Sequence, residues 1–112
     1  MFADLTQEQL SALEAQHGPV YRADTPQGAV YVKAPNEGIV DAFMDARAKA
    51  GVRRAQNDLV KRCLVSPTWA DYEPVLKRFC MLSVNPAELI IEVSQGVEEA
   101  RVTKSGGEAS TG

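Results

Sequence analysis

The residues of this chain most able to do chemistry are its cations. Arg47, Lys49, Arg53, Arg54, Lys61 and Arg62 fall within sixteen positions and are opposed there only by Asp58. The spacing predicts a helix over about 52–65, which sets Arg53, Asn57 and Lys61 in one row at i, i+4 and i+8. Arg54, Asp58 and Arg62 form the neighbouring row. Such a face can dock an acidic protein surface, with a phosphate backbone as the weaker match. The plainer reading is an ordinary solvated face with internal ion pairs. Few aromatics interleave with the charges, which argues against single-stranded nucleic acid. Trp69, at the start of the next helical stretch, anchors a partner if it is partly exposed. At helical spacing with Tyr72, Leu76 and Phe79 it also suits a core. The candidate partner-binding residues are therefore Arg53, Arg54, Asn57, Lys61, Arg62 and Trp69.

Other chemistries find little support. The one histidine, His17, sits beside a glycine at a helix end, where an imidazolium favours the negative end of the helix dipole. Cys63 and Cys80 lie seventeen positions apart without paired-ligand spacing, so no zinc site is recognisable. Both fall on apolar helical faces and are expected to be buried free thiols. Adjacent Glu98 and Glu99 suit a solvated segment better than a calcium loop. Gly106-Gly107 has no following helix to present amides to a phosphate. Ser11, Ser66, Ser83 and Ser94 lack the strand-turn-helix setting of an activated nucleophile. No catalytic residue, metal ligand or cofactor is expected, and the chain is read as a binding protein.

Composition agrees with that reading. The chain has 112 residues, 45% of them hydrophobic, enough for one domain whose core needs no disulfide or metal. A formal net charge of −3 offers no general attraction to nucleic acid or anionic lipid. The stretch from Met1 to Leu5 lacks the basic start and apolar run of a signal peptide, and no apolar run approaches the length that crosses a bilayer. The cytoplasm is the expected compartment.

The elements that must position these residues are legible from caps and breakers. Thr6 and Gln9 form a capping box, and His17-Gly18-Pro19 ends the first helix. A hairpin follows, with Val20 to Arg22 and Ala29 to Lys33 as its strands and Thr25-Pro26-Gln27-Gly28 between them. A lone hairpin is marginal in water, so it must pack on helices or gain a strand. Everything from Pro35 to Gly96 reads as helical. Asn36 caps a helix that carries Ile39, Val40, Phe43 and Met44 inward and breaks at Gly51. Leu59, Val60, Cys63 and Leu64 face inward from a helix over Val52 to Val65. Trp69, Tyr72, Leu76, Phe79 and Cys80 line a fourth, where Pro74 is best tolerated in the first turn. Asn85 caps the fifth, with Pro86 at its first position and Leu89, Ile90 and Val93 inward. The expectation is an α+β fold, a short hairpin near the N-terminus packed on a bundle of four to five short helices. A single domain covers 1–103, in which 97–103 can add a strand, and 104–112 is a flexible tail. Exposed Trp69 or an open hairpin edge would each support self-association.

The order of these elements resembles a family of small proteins from tailed bacteriophages, the tail assembly chaperones. A polar N-terminal helix runs into Gly18-Pro19-Val20-Tyr21, and the second strand ends Val30-Tyr31-Val32-Lys33-Ala34-Pro35. That strand resembles the family's hydrophobic-basic-x-proline strand end, although Val32 stands where the family has an aromatic, and it leads into the helix from Asn36 to Phe43. Asn57-Asp58-Leu59-Val60, Cys63-Leu64-Val65 and Pro67 resemble the mid-chain helix and the loop after it. Glu88 to Val93 matches the closing helix, so the likeness spans about 5–96. The resemblance implies a non-enzymatic role in building a phage tail, in which the protein covers the long helical tape-measure protein until tube subunits polymerise around it.

Overall fold

The fold is described from a computed structural model over residues 1–96. The expected strand over 97–103 and the expected flexible tail over 104–112 lie outside the described residues. The order is α1 (Gln7–His17), β1 (Val20–Thr25), β2 (Gly28–Lys33), α2 (Glu37–Ala50), α3 (Val52–Cys63), β3 (Leu64–Ser66), α4 (Trp69–Arg78) and α5 (Val84–Ser94). This is an α+β fold, with a small antiparallel sheet near the N-terminus and five helices.

The early elements form for local reasons. In α1 the amide of Gln9 donates to Thr6 Oγ1 at 3.1 Å while the amide of Thr6 donates to Gln9 Oε1 at 2.9 Å, completing the capping box. Asn36 Oδ1 accepts from the amide of Ile39 at 2.9 Å and starts α2 in the same way. In the hairpin, Val20 pairs with Lys33 and Thr25 with Gly28, leaving Pro26 and Gln27 as the turn.

β2 is the central strand. Its four inner residues, Ala29 to Val32, are all buried, and the pleat sends them alternately to two cores. Ala29 and Tyr31 join Leu10 and Val20 beneath α1, with Leu5, Leu13 and Val65 at the margin. Val30 and Val32 join the larger cluster formed by Phe43, Leu59, Val60, Cys63, Tyr72, Leu76 and Ile90. The sheet therefore lies between α1 and the other helices, and each fully buried aliphatic side chain contributes about 1.5–3 kcal/mol.

Four expectations are corrected. The third helix ends at Cys63 instead of Val65, because Leu64 and Ser66 pair with Val32 and Tyr31 on the open edge of β2. Pro67 favours this outcome, since the residue before a proline is pushed from helical to extended backbone. Pro74 lies in the second turn of α4, because Thr68 Oγ1 caps that helix at the amide of Asp71. The carbonyl of Ala70 thereby loses its helical donor, but Ala70 is exposed and water can replace it. α5 begins at Val84, one residue before the expected cap, with Ser83 at the N-cap position. Pro86 still lies in the first turn, where an N–H would have no intrahelical partner. Asn85 instead donates from Nδ2 to the carbonyl of Asp24 at 3.3 Å, tying α5 to β1. Finally, Cys80 and Met44 are exposed instead of inward-facing.

The two thiols are thus unlike. Burial pushes the Cys63 thiol up from its ordinary 9.0 to about 11, against the opposing pull of Lys33 and Arg62. Iodoacetamide is expected to modify Cys80 in the folded protein and to reach Cys63 only after denaturation, as peptide mass spectrometry would show. The sign of the pH dependence follows from the same shift. The unfolded thiol loses its proton first, so the Cys63 contribution to stability is intact below about pH 9 and falls away towards about pH 11. Burial of Tyr72 raises its phenol too and acts in the same direction. Cys63→Ala should lessen the alkaline loss seen in thermal melts at pH 8 to 11. A loss unchanged by that substitution would overturn the assignment.

Candidate partner-binding face

α3 is amphipathic, and its buried side orients its charged one. Ala55, Leu59, Val60 and Cys63 enter the core. That leaves Arg53, Arg54, Lys61 and Arg62 exposed, with Asn57 half-buried between the two sides. The helix therefore brings five of the six candidate residues onto one stretch of surface.

Trp69 reaches this surface from α4. Thr68 caps that helix one residue earlier and so sets Trp69 at its first position, half-buried. Lys61 Nζ stands 5.5 Å from the centroid of the Trp69 ring, within the range of a cation–π contact. The indole also packs on Tyr72, with ring centroids 5.5 Å apart and planes tilted by 33°. The row Arg53–Asn57–Lys61 thus continues across the helix–helix junction into an aromatic surface.

Electrostatics distinguish the two rows. Arg62 Nε donates to Asp58 Oδ2 at 2.8 Å, an exposed i, i+4 pair that removes much of that arginine's field. Arg53 and Arg54 have no ion-pair partner among the described residues. Lys49, the other cation of the basic run with a partner, is held by Asp45 at 3.2 Å. Asn57 Oδ1 is closed to solvent yet accepts no hydrogen bond among the described residues. A buried acceptor left in this state costs on the order of 1–3 kcal/mol.

Elsewhere the described surface carries several clefts. One, of about 590 Å³, lies between Met1–Leu5 and the segment Ser66–Thr68. A second, of about 520 Å³, runs between the hairpin turn and Phe79–Leu82. A third, of about 240 Å³, separates α2 from α5. Among the described residues no group of three or more His, Cys, Asp or Glu is placed to hold a metal ion. His17 is exposed in the last turn of α1. No helix among the described residues is long and apolar enough to cross a membrane.

Two features were not legible in the residue pattern. The Lys61–Trp69 contact joins separate helices, although the basic row and the aromatic were each visible. The α2–α5 cleft had one signal, the adjacent apolar pairs Ile39-Val40 and Phe43-Met44, which are wider than a single core-facing stripe. Comparison of the chain with protein-family models, curated proteins and solved structures finds no match.

Proposed function

We propose that this protein works by binding another protein, without catalysis, through the face of α3 that runs into Trp69. The observation that carries the reading is the continuity of Arg53, Asn57, Lys61 and Trp69. Unpaired cations and a half-buried indole lie together at the surface, beside an amide oxygen that is closed to solvent and unpaired among the described residues. Arginine and tryptophan are the side chains most often dominant in protein interfaces, and positive charge selects an acidic partner. The resemblance to tail assembly chaperones supplies the identity of that partner: the tape-measure protein of a phage tail, covered in the host cytoplasm until the tube closes around it. A tape measure exposes extensive amphipathic helix, and a small protein with a basic, aromatic face suits an acidic stretch of such a helix.

The test is co-expression of the tagged protein with the tape-measure protein encoded nearest it, followed by native pull-down at low and moderate salt. Recovery is expected at low salt and is expected to fall for Arg53→Glu combined with Arg54→Glu. Asn57→Leu separates binding from folding. It should hold or raise the melting temperature, because it removes a buried unpaired acceptor, while lowering recovery of the partner. Absence of the tape-measure protein from the wild-type pull-down would overturn the tail-assembly reading. A salt-sensitive gel shift with DNA or RNA, abolished by the same arginine changes, would transfer the face to nucleic-acid binding.

A further inference from the structure

The cleft between α2 and α5 shares no residue with the α3 row. Both helices pack on α3, whose Leu59 forms the floor beside Phe43 and Ile90, all nearly closed to solvent. Val40 and Ile91 make half-buried walls, and Met44 stands 55% exposed at the rim.

Size and charge together narrow what can fill it. Its volume of about 240 Å³ falls below the roughly 300–1,000 Å³ of sites that enclose small molecules. One or two apolar side chains fit that space. Among the described residues Arg47 is the only charged one in the lining. It is exposed and has no ion-pair partner among the described residues. Asp45, the nearest acid along α2, is engaged by Lys49. An apolar slot with one unneutralised cation at its edge complements an apolar residue with a carboxylate beside it, and repels a basic segment. Residues three or four apart on a helix present that pair about 5–6 Å apart. The unbranched side chain of Met44 can adjust to the shape of what enters.

We propose that this cleft docks an acidic amphipathic helix of another protein. An apolar side chain seats over Leu59 and Phe43, and a carboxylate one turn along the helix pairs with Arg47. The inference rests on the protein-binding reading, but on neither the tape-measure identity nor the α3 row.

The experiment is a titration of the full chain, labelled with ¹⁵N and ¹³C-methyl groups, with two synthetic helical peptides. They are identical except that Glu or Lys stands four residues from a single leucine anchor. The Glu peptide is expected to shift the methyl signals of Val40, Met44 and Ile91. Arg47→Glu, a change at an exposed position, should lower its affinity about tenfold and admit the Lys peptide instead. Met44→Ser gives a second, charge-independent readout and should weaken the Glu peptide without restoring the Lys one. Equal binding of both peptides, or shifts confined to Arg53, Asn57, Lys61 and Trp69, would overturn the proposal; the second result would leave the α3 reading intact. Cleft signals that move with protein concentration in the absence of peptide would make a second copy the occupant and overturn it as well. Cleft binding of the Glu peptide alongside a failed tape-measure pull-down would retain this site and reject the tail-assembly role.

Discussion

Replacing Tyr72 by alanine is expected to destabilise the fold by about 3–5 kcal/mol, the usual cost of emptying a large aromatic site. The side chain is 0% exposed and among the largest fully buried groups of the main core. Its ring contacts both Phe2, stacked at 5.8 Å with planes 16° apart, and Trp69 at 5.5 Å. Its hydroxyl meets Ser83 Oγ at 2.8 Å, with both groups buried. One side chain therefore joins the N-terminal segment, α4 and the start of α5. A domain of this size has a total stability of about 5–15 kcal/mol, so the loss is a large share of it. In a thermal melt the midpoint should fall on the order of 20 °C. Tyr72→Phe isolates the hydroxyl. It keeps the ring and leaves Ser83 Oγ buried without a partner, at a cost of about 1–2 kcal/mol. Adding Ser83→Ala to Tyr72→Phe should recover part of that loss, since neither polar group then remains unpaired. Strict additivity of the two changes would show that the Tyr72–Ser83 bond contributes nothing. The same variants bear on function, because Tyr72 packs against the Trp69 ring that Lys61 contacts. Tyr72→Phe should leave partner binding unchanged, whereas Tyr72→Ala should weaken it through loss of that support.

Gly28→Ala is the second substitution with a large expected effect. Gly28 begins β2 at φ +117°, a backbone conformation that side chains rarely tolerate. Space is the greater obstacle. A Cβ there would overlap the carbonyl oxygen of Phe2 and stand 2.8 Å from the Phe2 nitrogen. Both atoms are backbone, so the N-terminal segment must leave. With it go the 2.7 Å hydrogen bond from the Phe2 amide to the Gln27 carbonyl and the stack of Phe2 on Tyr72. Strain of about 1–3 kcal/mol, a hydrogen bond of about 1 kcal/mol and an aromatic pair of about 1 kcal/mol together give a loss of roughly 3–5 kcal/mol. A chain starting at Leu5 supplies the control. In that background Gly28→Ala should cost only the backbone strain, as read by urea unfolding. Equal costs in both backgrounds would show that the close approach of Phe2 has no energetic weight.

How far the pattern of residues reached depends on the range of the interactions concerned. The capping box at Thr6, the Asn36 cap, the breaks at Gly18 and Gly51 and the two-residue turn after Thr25 were all readable. Each is settled by atoms within about four residues of one another. The basic row of α3 was readable for the same reason, since helical spacing alone aligns Arg53, Asn57 and Lys61. The requirement that the hairpin be covered was readable too, because two strands cannot bury enough surface alone.

The identity of the covering strand was not. Leu64 to Ser66 carry the apolar spacing of the preceding helix, and only the open edge of β2 makes extended backbone the better choice there. Asn85 lost its expected role as a cap for a similar reason: the Asp24 carbonyl claims its amide, and Ser83, which stands at the N-cap position instead, has its hydroxyl claimed by Tyr72. Met44 and Cys80 carry the apolar character of their neighbours but look outward: Met44 stands at the rim of the cleft between α2 and α5, and Cys80 falls beyond Arg78, where α4 has already ended. What the sequence by itself determined, then, is where helices start and stop, which strands make the hairpin and which cations share a row. Short-range hydrogen bonds and fixed periodicities decide those matters. Only the tertiary structure decided which third strand completes the sheet, that Lys61 meets Trp69, that Asn57 buries an unpaired oxygen, and that α2 and α5 leave a cleft over Leu59. Each of these depends on groups brought together by packing between elements, whose geometry no local preference encodes.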